Sequence, residues 1–331
     1  MLSYDGDRHP RGSAMSKRRR SSLGGAPLKA TTWLVLLLTA VLALASGCSI
    51  KKLALNGLAG ALSSTGDLFA SDEDPDLIRD AAPFALKTIE GLLAESPDHR
   101  SLLLSACRGF TQYAYAFVET DAKLAEMDDY RNAAALQERA LRLYLRARGY
   151  CLRLLELEQP GITARLETDP DPKAIAVNNV AALYWTAAAW GSAISLGKDR
   201  PDVVADFPAL GALIRRALEL DEGFERGALH GALIVLESLP ANMGGSFERA
   251  RTHFDRAVEL SGGQSAGPYL ALAENISVAT QDREEFERLL RQALAVDPDD
   301  HPGTRLHNLI VQKRARHLLD NADEFFLEGD D

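Results

Sequence analysis

The sequence predicts an all-α protein in which helical hairpins stack into a solenoid. Three observations carry that reading. Leu and Ala dominate a chain that is 46% hydrophobic and 25% charged, with few β-branched residues, and these are good helix formers. Apolar residues recur at helical spacing from about residue 76 almost to the end, and no useful stretch alternates with period two. Four predicted helix ends also read alike: Leu92–Pro97, Ala217–Asp221, Ala257–Ser261 and Ala293–Pro298, the last three spaced by 40 and 36 residues.

Residues 1–47 are predicted to be a signal peptide outside the fold. Lys17-Arg18-Arg19-Arg20 is a basic start and Thr31–Ala45 an apolar run, followed by small residues and Cys48. The run is shorter than the ~20 residues a permanent membrane span usually needs. Met15 just precedes the basic cluster and is read as the start of translation, leaving residues 1–14 as an upstream extension. Ala45-Ser46-Gly47-Cys48 resembles a bacterial lipobox, with Ala45 where the pattern favours Leu. The resemblance implies diacylglycerol on the Cys48 sulfur, cleavage after Gly47 and acylation of the new amino terminus. Several acyl chains make a stable anchor where one does not. The competing reading is a simple signal peptide beside an incidental Cys. Ser49 rather than Asp favours the outer over the inner membrane.

Loss of residues 1–47 leaves 30 Lys+Arg against 45 Asp+Glu. Such an acidic chain is a poor partner for nucleic acid or anionic lipid. Residues 48–70 are read as anchor and linker, and 71–331 as the helical domain. Helices are predicted over 76–95, 99–118, 130–157, 173–196, 201–220, 224–238, 246–260, 266–279, 282–295 and 303–327. Asp72-Glu73-Asp74-Pro75 supplies the first helix start, with acid at the positive helix end. Pro and Gly clusters such as Gln159-Pro160-Gly161 and Pro240–Gly245 punctuate the rest.

The best repeat unit is Ala266–Asp299. Tyr269, Leu272, Ala273 and Ile276, then Leu289, Ala293 and Pro298, occupy the large, small and Pro places of a tetratricopeptide hairpin, while Glu285 stands where Ala is preferred. The preceding unit keeps Ala250, Phe254 and Ala257. Alanine at a crossing lets two helix backbones approach, and stacked pairs curve around a groove. The predicted fold is therefore a degenerate tetratricopeptide-like helical-hairpin solenoid, the alternative being a plain helical bundle.

Two aromatic clusters, Phe110/Tyr113/Tyr115/Phe117 and Tyr184/Trp185/Trp190, serve either as core or as the wall of an apolar groove. Asn178 and Asn179 are expected inside a helix, where they are mediocre formers. Tyr113, Asn179 and Trp185 are the candidate ligand-lining residues. Cys107 and Cys151 lie in apolar helical patterns, where buried free thiols are common, and an oxidising compartment also permits a bridge. His230 is placed at a helix–helix contact. No Cys/His spacing indicates a metal, no nucleophile motif indicates an enzyme, and Pro240–Gly245 reads as an interhelical turn without the ending of a phosphate loop. No cofactor is expected.

Several ordered stretches together resemble the TatT family, the T component associated with TRAP transporters. They are Ser71–Leu77, Glu95–His99, Gly109–Tyr115, Gly227–His230, Met243–Gly245, Glu259–Gly263 and Gln281–Phe286. The resemblance covers nearly all of the chain after Cys48. It implies a periplasmic helical lipoprotein that forms a homo-oligomer, with a trimer around a pore as the arrangement, and that associates with the solute-binding P subunit. The role it implies is passing a small or hydrophobic ligand to or from that subunit during import. A general envelope scaffold that grips extended peptides is the alternative.

Overall fold

The computed structural model describes residues 33, 56–58, 60–61, 66–197 and 207–327. The chain divides into two compact units, Met1–Leu53 and Ala54–Asp331, and the second holds the helical array. The expected signal peptide (Trp33 apart), Cys48 and the start of the helix predicted at 201 lie outside the described residues.

Among the described residues the fold is all-α, with no strand. Helix α1 (Pro75–Glu95) begins where the sequence indicates. The Asp74 carboxylate accepts the Asp76 and Leu77 N–H groups, both at 3.0 Å, and Pro75 takes the first turn where no donor is needed. Ile78, Ala82, Leu86, Ile89 and Leu93 form its buried stripe. Helix α2 (Arg100–Tyr113) continues through a π-helical turn (Ala114–Glu119) into α3 (Thr120–Ala125), seven residues beyond the predicted end. Helix α4 (Tyr130–Glu158) packs against both.

Cys107 on α2 and Cys151 on α4 are fully buried and joined by a disulfide. Of the two readings open from sequence, the bridge is the one formed. The apolar surroundings that favoured free thiols are the packing around the bridge itself.

Helix α5 (Ile162–Thr168) has no counterpart among the predicted helices. It is about two helical turns long, hidden behind the Pro160-Gly161 break, and Ile162 and Leu166 anchor it in the core. Glu156 caps it by accepting the Gly161 and Thr163 N–H groups at 2.7 and 2.8 Å. The helix predicted from 173 instead starts at Val180 as α6 (Val180–Leu196), after a short 3-10 turn at Pro172–Ala174. The two asparagines therefore precede the helix. Asn179 is its N-cap, and its side chain accepts the Ala182 N–H at 3.1 Å.

Helices α7 (Phe207–Leu220), α8 (Ala228–Glu237), α9 (Phe247–Ser261), α10 (Gly267–Leu272), α11 (Arg283–Ala295) and α12 (Arg305–Asp320) complete the array. A second π-helical turn (Ala273–Ser277) extends α10. Ala250, Ala257, Ala273 and Ala293 are fully buried at crossings, as the hairpin pattern requires. At Gly227 a Cβ would stand 3.2 Å from the Ala257 Cα, so the start of α8 lies almost against the backbone of α9. Phe286, Leu289 and Leu290 are fully buried between α10 and α12, each contributing about 1.5–3 kcal/mol by removal from water.

Packing mostly follows chain order, except that α5 meets α4 and α7 and α2 also meets α6, and then the end returns to the beginning. Helix α12 contacts α1 and α3. Ile78, Phe117 and Ile310 form one small apolar cluster at that closure, with Phe69 packed against it. Arg305 donates to the Ser71 carbonyl at 2.8 Å, 234 residues away in sequence. Residues 66–70, expected in the linker, are helical and share in this closure.

Candidate functional site

The array lines a partly open cavity of about 1590 Å³. Its wall is largely apolar, with Ile78, Leu86, Phe117, Leu210, Ile214 and Ile310 among the residues that line it. That volume exceeds the few hundred Å³ to ~1,000 Å³ of ordinary ligand pockets.

Both π-helical turns face it. Tyr115, Ala116 and Phe117 come from the first, Glu274 and Asn275 from the second. A π turn holds one extra residue and rotates the side chains after it, and such turns cluster at functional sites. Thr120 stabilises the first by donating to the Tyr115 carbonyl at 2.9 Å. Arg314 on α12 joins the two turns: its Nη2 donates to both Glu274 carboxylate oxygens at 2.6 and 2.9 Å, and its guanidinium lies 5.7 Å from the Tyr115 ring centre. Arg314 is almost completely buried, and the Glu274 and Tyr115 neighbours hold its pKa up against that burial.

The wall also carries a backbone outlier. Glu225 (φ 41°) and Arg226 (φ 57°) both adopt left-handed conformations, followed by Gly227 at φ 94°. Each non-glycine residue held there costs about 1–2 kcal/mol. The strained turn directs both charged side chains. Arg226 donates to the Ser261 carbonyl and to Gln264, tying α8 to the loop after α9. Glu225 lines the cavity beside Tyr184, Trp185 and Phe224. Burial raises its pKa, against the pull of the Arg108 charge and of the Trp185 indole N–H. His307 also lines the cavity, and burial lowers its pKa to about 4.

The three residues expected from sequence separate here. Tyr113 and Trp185 both line the cavity. Tyr113 packs its ring 5.6 Å from that of Phe117, and Trp185 meets Tyr184 edge-on at 4.9 Å. Asn179 is elsewhere: it caps α6 and donates to Glu158 at 3.0 Å, so its polarity is consumed in starting a helix. Within the aromatic clusters, Tyr115, Phe117 and Tyr184 also line the wall. Phe110 stacks on Tyr150, and Trp190 is fully buried under the Arg148 guanidinium at 4.0 Å. His230 sits between α8 and α9 as expected, its Nδ1 2.9 Å from that of His253. Arg108, Glu225, Glu274 and His307 carry no signal in the sequence that marks them as lining residues. Glu225 is aimed inward by an unusual backbone turn and Glu274 by a π turn, neither of which periodicity reveals.

No helix of the described residues is long and apolar enough to cross a membrane. A protein of Treponema pallidum (strain Nichols), described as an uncharacterized protein, is 30% identical over 309 residues, which is 86% of this chain and 95% of its own length. Residues 71–326 match the family described as TRAP transporter T-component, and these residues include nearly all of the helical array and its cavity. A match over that much of the sequence places this chain in the TRAP transporter T-component family.

Proposed function

We propose that this protein is a lipid-anchored, periplasm-facing accessory of a TRAP-type import system, which holds the apolar part of a ligand in its cavity and exchanges it with the solute-binding P subunit. The observation that carries this is the large, mainly apolar cavity lined by a T-component fold. A chain with so much internal apolar surface gains by filling it, since apolar surface left against water forgoes about 25 cal/mol per Å². Tyr113 and Trp185 contact the ligand in this reading. Cys48 carries the diacylglycerol and amide-linked acyl chains, palmitate among them, and holds the protein to the periplasmic face of the outer membrane. The working form is a homo-oligomer, a trimer in the family's proposed arrangement. No catalytic role is assigned to any residue.

Two measurements test the reading. Affinity purification of the lipidated chain from detergent-solubilised envelope recovers a P subunit, and recovery of none contradicts the proposed partnership. Labelled palmitate is incorporated into the wild-type chain and not into a Cys48→Ser variant. Equal incorporation into both removes Cys48 as the anchor.

A further inference from the structure

Arg108 and Glu225 both face the cavity, yet each is left with unused hydrogen-bonding capacity. Arg108 spends one donor on Asp67, Nη1 to Oδ1 at 3.3 Å, and that carboxylate is largely exposed. Beyond that contact the Arg108 guanidinium donates to no described residue, and the side chain keeps 26% of its surface accessible. A guanidinium offers five N–H donors, so accessible ones remain for a ligand. Glu225 forms no ion pair with Arg108 or any other described cation, although the Arg108 charge is close enough to influence it. The rings of Tyr184, Trp185 and Phe224 surround this end: Tyr184 and Phe224 lie 5.4 Å apart, and Arg108 lies 5.7 Å from the Trp185 ring centre. Aromatic faces beside a carboxylate favour a cation.

We infer that Arg108, Glu225 and the aromatic rings beside them form a head-group subsite for a zwitterion, an amphiphile whose carboxylate meets Arg108 and whose ammonium meets Glu225. This rests on the reading that the cavity holds the apolar body of a ligand. A ligand with a single charge satisfies one of the two groups and leaves the other unmet. A zwitterion satisfies both. The local charge agrees: of the ionic groups on the wall, Glu274 is neutralised by Arg314 and Arg226 is bonded to Ser261 and Gln264, leaving Asp67 and Glu225 around Arg108. A lone carboxylate ligand would meet more negative than positive charge there. The paired charges at the end of an otherwise apolar space discriminate by head group while the remaining volume tolerates different tails.

The test uses the full lipidated chain in lipid nanodiscs, with empty nanodiscs subtracted. Isothermal titration compares three probes of equal chain length: 2-aminooctanoate, octanoate and octylamine. The inference predicts that 2-aminooctanoate binds about tenfold more tightly than either other probe, one charge-assisted contact being worth at least that factor. The isosteric variant Glu225→Gln lowers its affinity to that of octanoate, and Arg108→Met lowers it to that of octylamine. Arg108→Lys, which keeps the charge, retains part of the advantage. Equal binding of all three probes, or tightest binding of octanoate unaffected by Glu225→Gln, overturns the head-group assignment and leaves the cavity reading standing. Absence of binding by all three to the wild-type chain overturns the cavity reading and the head-group assignment with it.

Discussion

Removing the Cys107–Cys151 bridge has a magnitude that the structure fixes. The bridge joins positions 44 residues apart on α2 and α4, at the centre of the larger core. In the chain-entropy treatment, releasing a loop of that length returns about 4 kcal/mol of freedom to the unfolded chain. For a domain of this size, ~1 kcal/mol moves the melting midpoint by roughly 2–4 °C, so the double variant Cys107→Ala/Cys151→Ala is expected to melt roughly 8–16 °C lower. The lost sulfur packing adds to the effect, since both side chains are fully buried. Thermal unfolding followed by circular dichroism measures the shift. Thiol counting of denatured, unreduced protein, with Cys48 acylated, should find no free thiol. Two free thiols, together with an unchanged midpoint in the double variant, would refute the assigned bridge and the entropic reasoning together.

Other expectations follow from single contacts. Arg314→Met strands Glu274 opposite a buried apolar group and separates the two π turns, and a loss of about 3–5 kcal/mol is expected in denaturant titration. A loss under ~1 kcal/mol would mean that the pair is solvent-screened. Gly245→Ala places a Cβ 1.9 Å from the Leu239 carbonyl oxygen, so the turn between α8 and α9 must open. A soluble variant with an unaltered melting curve would contradict that packing. His307 titrates at about 4, below the ordinary histidine value of 6.5, so the unfolded chain binds the extra proton first. Its contribution is complete above pH 6.5 and is lost as the pH falls toward 4. His307→Gln should therefore flatten the stability profile in that window, and a profile identical to wild type would place the acid sensitivity elsewhere.

Much of the fold was legible because helical spacing reports burial directly. The stripe Ile78–Leu93 and the alanines at 250, 257, 273 and 293 stand where the pattern put them. The misses have local physical causes. Asn178 and Asn179 share the polarity of a helix face, but Asn179 spends its side chain on the N-cap of α6. Helix α5 is too short for a period and is held by a Glu156 cap from the preceding helix. The site was legible only in its aromatics. Tyr113 and Trp185 were visible as large side chains, whereas Glu225 and Glu274 gain their positions from a left-handed turn and a π turn. The return of α12 to α1, which closes the cavity, depends on contacts over two hundred residues apart and leaves no mark in any window of sequence.

The central claim is that the closed helical array holds an apolar ligand in its interior, and native mass spectrometry of the lipidated chain tests it most directly. Gly231 lines the cavity, and a Cβ added there meets nothing within 4 Å, so Gly231→Trp places an indole in part of that space. Wild-type protein is predicted to carry a small-molecule mass or to take up added amphiphile, and Gly231→Trp, with equal helicity, to hold less of it. An empty wild type that also takes up no added amphiphile would contradict the account.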